Sequence, residues 1–210
     1  MHNSDRKLAE NAAKGDKRAA QVIAERLRDD LFNLFMWLTR DPPLAEDLTQ
    51  SAFVRLWQAL PEFRGESSLR TWAHKIAFSV LAMHNRRLAT ESRALSDYTH
   101  AQASTLSDCV AGQVEMRLAI ADALAQLSEA ERPAVVLCKL QGFTIAEAAR
   151  ILNRPPGTIA WQIAEGVKKL RALLADWRGE RQTVNQKDPI PDQREVQPNV
   201  PHRSEPAGSE

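Results

Sequence analysis

Histidines, cysteines and neighbouring carboxylates are the residues from which most catalytic and metal sites are built, and this chain scatters them. His2, His74, His84, His100 and His202 stand at no metal-ligand spacing from one another or from Cys109 and Cys138. Glu46 and Asp47 are adjacent carboxylates without the partners that a catalytic carboxylate needs, and no glycine-rich phosphate loop occurs. Cys109 lies in a polar stretch and Cys138 in an apolar one, with no CxxC pair, so neither builds a disulfide scaffold. These patterns point away from an enzyme, and no metal or cofactor is expected.

The spacing that does carry chemistry lies between Glu129 and Trp177. Thr144-Ile-Ala-Glu147 has the form of a capping box, and Ala148, Ile151 and Leu152 continue the buried side of a short helix. A turn through Asn153-Arg-Pro-Pro-Gly157 leads into a longer helix with apolar residues at Ile159, Ile163, Val167, Leu170 and Leu174, spaced by three and four. A short helix, a tight turn and a second helix is the helix-turn-helix plan, whose second helix enters a DNA major groove. Any two-helix turn produces the same pattern, so the rest of the chain must decide.

The 210 residues suffice for one ordinary domain or two small ones. A formal net charge of +1 excludes a strongly basic, non-selective nucleic-acid binder but leaves room for a local basic face. No apolar run is long enough to span a bilayer, and Met1-His-Asn-Ser-Asp-Arg-Lys7 opens no signal peptide, so a cytoplasmic location without membrane insertion is expected.

A short polar-apolar helix over Leu8–Lys17, broken near Gly15-Asp16, comes first, and three amphipathic helices follow it before the linker. One carries the stripe Ala20, Ile23, Leu27, Leu31, Leu34 and Leu38. The next is capped by Asp41, opened by Pro42 and Pro43, and carries Leu44, Leu48, Ala52, Leu56 and Ala59. After the loop Pro61–Gly65, Ser67 or Ser68 starts the third, with Leu69, Trp72, Ala73, Ile76, Val80 and Met83 as its expected buried positions. Residues 1–90 therefore read as one helical domain and 91–112, rich in Ser, Thr, Ala and Asp, as a flexible linker. Residues 113–178 hold Met116, Leu118, Ile120, Leu124 and Leu127, a second capping box at Ser128–Glu131, a helix with Val135, Val136, Cys138 and Leu140 ending near Gly142, and the two-helix unit. Residues 179–210, proline-rich with almost nothing to bury, read as a disordered tail. The expected fold class is all-α, two small helical domains joined by a flexible linker.

Taken in order, these stretches resemble a bacterial RNA polymerase sigma factor of the extracytoplasmic-function group, the smallest members of the sigma-70 family. Asp41-Pro-Pro-Leu-Ala-Glu-Asp-Leu-Thr-Gln50, then Ala52-Phe53 and Leu56-Trp57, resembles the family's polymerase-binding helix. Phe63-Arg-Gly-Glu-Ser-Ser-Leu-Arg-Thr-Trp72, with Ile76-Ala77, resembles its promoter-melting segment. Ala123–Leu127, Gly142–Ala149, Pro156–Ile159 and Lys168-Lys-Leu-Arg171 resemble the later domain, whose last helix reads the upstream promoter element.

The resemblance implies three partners: core RNA polymerase, promoter DNA and an anti-sigma factor. It also implies inhibition by packing of the two domains or by capture. Glu46 and Asp47, which by themselves read as helix-terminal charges, would with Gln50, Phe53 and Trp57 face the polymerase. Phe63, Arg64, Arg70, His74, Lys75, Arg86 and Arg87, otherwise a loop and a solvated basic helix with Trp72 in the core, would meet promoter DNA. Thr158, Trp161, Gln162, Glu165, Lys168, Lys169 and Arg171 would meet the upstream element. The chain departs from the family at Ser51, at Phe78, Ser79 and Met83, and most of all at Ala160-Trp-Gln162 and Ala164-Glu-Gly166, where basic residues are usual. Three outcomes follow for that helix: an unusual upstream element, loss of the contact, or a face given over to a protein partner.

Overall fold

Most of the long helices of the first lobe and both capping-box helices of the second begin where a side chain takes up an unpaired amide. The computed structural model describes residues 3–94 and 111–185, with side chains for 3–91 and 116–175. Among these residues every regular element is helical: α1 (Asn3–Ala13), α2 (Lys17–Thr39), α3 (Pro42–Ala59), α4 (Leu69–Ala94), α5 (Ala111–Ala125), α6 (Glu131–Val135), α7 (Ile145–Leu152) and α8 (Pro156–Asn185). A 3-10 turn, Leu60–Glu62, follows α3, and a π-helical turn, Val136–Leu140, extends α6. The all-α class is as expected. Most of the linker and tail, and with them Cys109, lie outside the described residues, although α8 runs past residue 178 into the expected tail.

The caps follow the sequence. Asp16 accepts from the amides of Arg18 and Ala19, and Asp41 from Leu44 at 3.1 Å, with Pro42 and Pro43 in the first turn of α3. Both capping boxes form: Thr144 with Glu147 (3.2 and 2.9 Å), and Ser128 with Glu131 (3.2 and 3.1 Å). Helix α4 has two caps. Ser68 Oγ accepts from the Thr71 amide, and Asp5 reaches from α1 to accept from the Leu69 amide at 2.9 Å. The second is a tertiary cap that no local pattern announces.

In the first lobe Ile23, Leu27, Leu31, Leu34 and Phe35 of α2 meet Ala45, Leu48, Ala52 and Leu56 of α3. Helix α4 seats Leu69, Ala73, Ala77 and Val80 against them. That stripe differs from the expected one: Trp72 and Ile76 are half-buried, and Met83 is 43 % exposed. The smaller Ala73 and Ala77 let α4 approach closely, so the larger residues fall to its flank. In the second lobe Leu124, Leu127, Val135, Val136, Leu137, Ile151, Ile159 and Ile163 form the core, while Met116, Leu118 and Leu140 are exposed.

The lobes pack together through α4. Arg70 and His74, one turn apart, face the loop between α6 and α7. The guanidinium of Arg70 pairs with Asp30 of α2 (2.5 Å), donates to the Gln141 carbonyl (2.7 Å) and lies over the Phe143 ring, 4.1 Å from its centroid. Gln141 in turn donates to the Asp30 carbonyl at 3.0 Å. Gly142, at φ 74°, is the turn that brings Phe143 inward. His74 meets Phe143 edge-on, 4.6 Å between centroids. Arg40 also pairs with Asp122 across the lobes.

His74 is wholly buried. Its Nδ1–H donates to the Arg70 carbonyl (2.9 Å), which leaves Nε2 bare and without a partner among the described residues. Burial, with the nearby Arg70 charge, pushes its pKa down from 6.5 to about 4. The packed state therefore holds fewer protons than the unpacked one between these values, and its stability falls as pH drops through that window. Between pH 7 and pH 5 the loss is expected to be about 2 kcal/mol in urea unfolding. The carboxylates held below their usual range, Glu131 and Glu147, titrate at lower pH and contribute little there. His74→Phe should remove most of the difference, and an unchanged pH dependence in that variant would rule the assignment out.

A second prediction concerns Gly166, where α8 crosses α6. A Cβ there would stand 2.6 Å from Val135 Cγ2, and a buried β-branched side chain cannot turn away. Gly166→Ala is expected to destabilise the second lobe by about 1–3 kcal/mol despite the better helix propensity of alanine. A thermal melt at or above the wild-type midpoint would contradict it.

Candidate nucleic-acid interface

Three surfaces carry the residues singled out from the sequence. On α3, Glu46, Asp47 and Gln50 are exposed along one side, followed a turn later by Val54, 56 % exposed. Phe53 and Trp57 are half-buried and stack on each other, 6.2 Å between centroids, while packing against the core. Part of each side chain is thus core, and the rest remains accessible. Beside them a groove of about 690 Å³ opens between α3 and α4, with Asp47, Val54, Arg55, Met83 and Arg87 among its walls. Arg55, Met83 and Val54 were missed in the sequence because their proximity depends on how α4 crosses α3.

The second surface is the loop after α3 and the face of α4. Phe63 is 6 % exposed and tilts against Trp72, 5.0 Å between centroids, so it props the loop rather than projecting from it. Arg64, Trp72 and Lys75 line a cleft of about 530 Å³, and Arg150 of α7 enters it from the other lobe. Arg150 carried no signal in the sequence beyond being on the polar side of an amphipathic helix. Arg70 and His74 were expected on the solvent side of α4, and the structure corrects this. His74 is buried, and Arg70 is tied into the lobe contact. Helical periodicity assigns a residue to a face but cannot tell that a second lobe covers it. Arg86 and Arg87 are exposed, and Arg87 is paired with Glu91 at 2.7 Å. Arg64, Lys75 and Arg86 thus remain in solvent with no ion pair among the described residues.

The third surface is the outer face of α8, entered from Asn153 in the left-handed conformation and Pro156 in the first turn. Ile159 and Ile163 are buried as expected, and Thr158, Lys168 and Arg171 are exposed, with Glu165 partly so. Trp161 is 62 % exposed, the most open of the large apolar side chains described. Two assignments change. Gln162 is 5 % exposed and accepts from Arg154 (3.2 Å), which also donates to the Ala130 carbonyl. Lys169 donates to both oxygens of buried Glu131 (2.7 and 2.9 Å), a bond that holds the Glu131 carboxyl below the usual carboxylate range. Gln162 thus faces the lobe, whereas Lys169 stays half in solvent and reaches across to the buried charge.

Among the described residues no cluster of His, Cys, Asp and Glu is placed to hold a metal ion, and no helix is long and apolar enough to cross a membrane.

Comparison with known proteins finds two family regions in the chain. Residues 23–90 match Sigma-70 region 2, and residues 117–170 match Sigma-70, region 4. The ECF RNA polymerase sigma factor SigC of Mycobacterium tuberculosis is 33 % identical over 169 residues, covering 80 % of this chain and 89 % of that protein. Among solved structures, CnrH in complex with the cytosolic domain of CnrY is 25 % identical, with a TM-score of 0.63 over 82 % of this chain and 97 % of that one. The sigma factor RpoE of Bartonella quintana, solved with the anti-sigma factor NepR, shares the fold at 24 % identity, with a TM-score of 0.66 over 72 % of this chain and 94 % of that one. With both regions present in order and a relative this similar along most of its length, the chain belongs to the sigma-70 family of RNA polymerase sigma factors, in its extracytoplasmic-function group.

Proposed function

We propose that this protein binds core RNA polymerase and directs promoter-specific initiation of transcription, acting in the cytoplasm without catalysis of its own. The observation that carries this is the ordered pair of sigma regions joined to two open surfaces, the acidic side of α3 and the outer face of α8. Glu46, Asp47 and Gln50 supply the polymerase-facing polar set, with the edges of Phe53 and Trp57 adding apolar area. Arg64, Lys75 and Arg86 serve the downstream element together with Trp72 in its cleft. The catalysis belongs to the polymerase.

The packed lobes bear on how this activity is held in check. Arg70 and His74 lie in the contact between the lobes, so α4 presents its full basic face to DNA only when the second lobe moves off. Such an arrangement suits capture by an anti-sigma factor, since a partner that holds the lobes together keeps Arg70 and His74 of α4 out of reach of DNA.

Runoff transcription tests the proposal, with purified core polymerase, this protein and a library of upstream DNA from its own genome. Discrete transcripts with alignable starts are expected. The double substitution Glu46→Lys and Asp47→Lys should lower core binding at least about tenfold, the cost of placing like charge where opposite charge is met. Its thermal melt should stay within about 2 °C of wild type, because both side chains are exposed. Core binding with no transcript from any fragment would overturn the initiator reading in favour of an adaptor or decoy.

A further inference from the structure

The first three turns of α8 present an unusual surface for a helix that reads bases. Ile159 and Ile163 point into the lobe, Gly166 lies against Val135, and Gln162 is turned inward with its amide oxygen bonded to Arg154. What remains outside is Thr158, Ala160, Trp161 and Ala164, with Glu165 partly exposed. Among the described residues no guanidinium, amide or ammonium on α8 reaches solvent before Lys168. Guanine is read in the major groove by bidentate Arg or Lys, and adenine by bidentate Asn or Gln. None of those groups stands on this face, and the one amide of these turns, that of Gln162, is committed to Arg154.

One feature of the major groove needs no hydrogen bond, the thymine 5-methyl group, which is recognised by apolar contact. We infer that α8 reads thymine methyls in the upstream element, packing them against the exposed indole of Trp161. Ala160 and Ala164 flank the indole with the smallest side chains that keep a helix, so its face can lie close to the base edges. Lys168 and Arg171, exposed and without an ion pair among the described residues, stand further along the helix to hold phosphates. That charge pattern, apolar first and basic after, fits a polyanion with an apolar spot in its groove better than it fits a protein surface. The assignment rests on the proposed function, since it takes DNA as the occupant of this face.

Deoxyuridine deletes only the methyl group, so it isolates the contact. Holoenzyme reconstituted from core polymerase and the full chain would be bound to promoter fragments recovered by runoff transcription. The thymines of the upstream element would then be replaced one at a time by deoxyuridine. Loss of one buried methyl is expected to weaken binding about fourfold at the contacted positions. Trp161→Ala should weaken binding to the thymine promoter and bring the thymine-to-uracil ratio to about one, while its circular dichroism stays that of wild type. Deoxyuridine promoters bound as well as thymine promoters would overturn the inference while leaving the proposed function standing. So would recovered upstream elements that lack thymine. A Trp161→Ala protein that binds and transcribes as wild type would also overturn it, and would assign this face to a protein partner. Failure to obtain transcripts at all would overturn the proposed function and this inference together. The thymine-to-uracil comparison in the wild-type protein needs no variant to fold.

Discussion

The guanidinium of Arg70 is the point on which the arrangement of the two lobes turns. One planar cation meets three demands at once: the carboxylate of Asp30, the carbonyl of Gln141 and the face of Phe143. The Asp30 pair is about one-third exposed on each side, so the ion pair by itself contributes little. The hydrogen bond to a main-chain carbonyl and the ring stacking are what tie it to a particular register. Lysine has no fork and no planar face to make the same set of contacts. Beneath the guanidinium, His74 fills the remaining space as a neutral ring, one nitrogen bonded and the other bare.

This contact places a structural and a functional demand on the same side of α4. A helix that meets DNA needs cations in solvent, whereas a helix that meets another lobe needs its polar groups satisfied within the protein. Here Arg70 and His74 serve the lobe contact, while Arg64, Lys75 and Arg86 stay in solvent. The cleft beside Trp72, entered by Arg150 from the second lobe, lies at the border between the two uses. The lobe contact thus occupies part of a face whose remaining cations stay in solvent. The buried imidazole adds a proton-linked term to that contact.

The second lobe resolves a similar conflict within itself. Glu131 closes the capping box of α6, is buried beneath α8 and is neutralised by Lys169. Gly166 lets α8 come close enough for this to happen. Lys169 is paired with that buried carboxylate, and Gln162 is bonded to Arg154. The outer face is left to Trp161 and its small neighbours.

Much of the fold was legible from residue order because its signals are local. Asp41, Thr144 and Ser128 cap the helices they precede, since a side-chain oxygen finds an amide three residues on whatever the rest of the chain does. Gly142 and Asn153 end helices in the left-handed region for the same reason. The family, too, was readable from motifs taken in order. The placement of individual site residues was less so. Periodicity put Ile159 and Ile163 inside and Trp161 outside, and the structure agrees, because that division depends on one helix against one core. It put Arg70, His74, Gln162 and Lys169 outside, and the structure commits each to a partner within the protein: Gln141 and Phe143 for the first two, Arg154 for Gln162 and Glu131 for Lys169, which stays half in solvent. Fold class and the local caps thus follow from the sequence alone, because short-range geometry decides them, whereas the Asp5 cap of α4 does not. Which cations and amides remain free to act was decided only by tertiary structure, because a polar side chain is buried or exposed according to what another part of the chain brings to meet it.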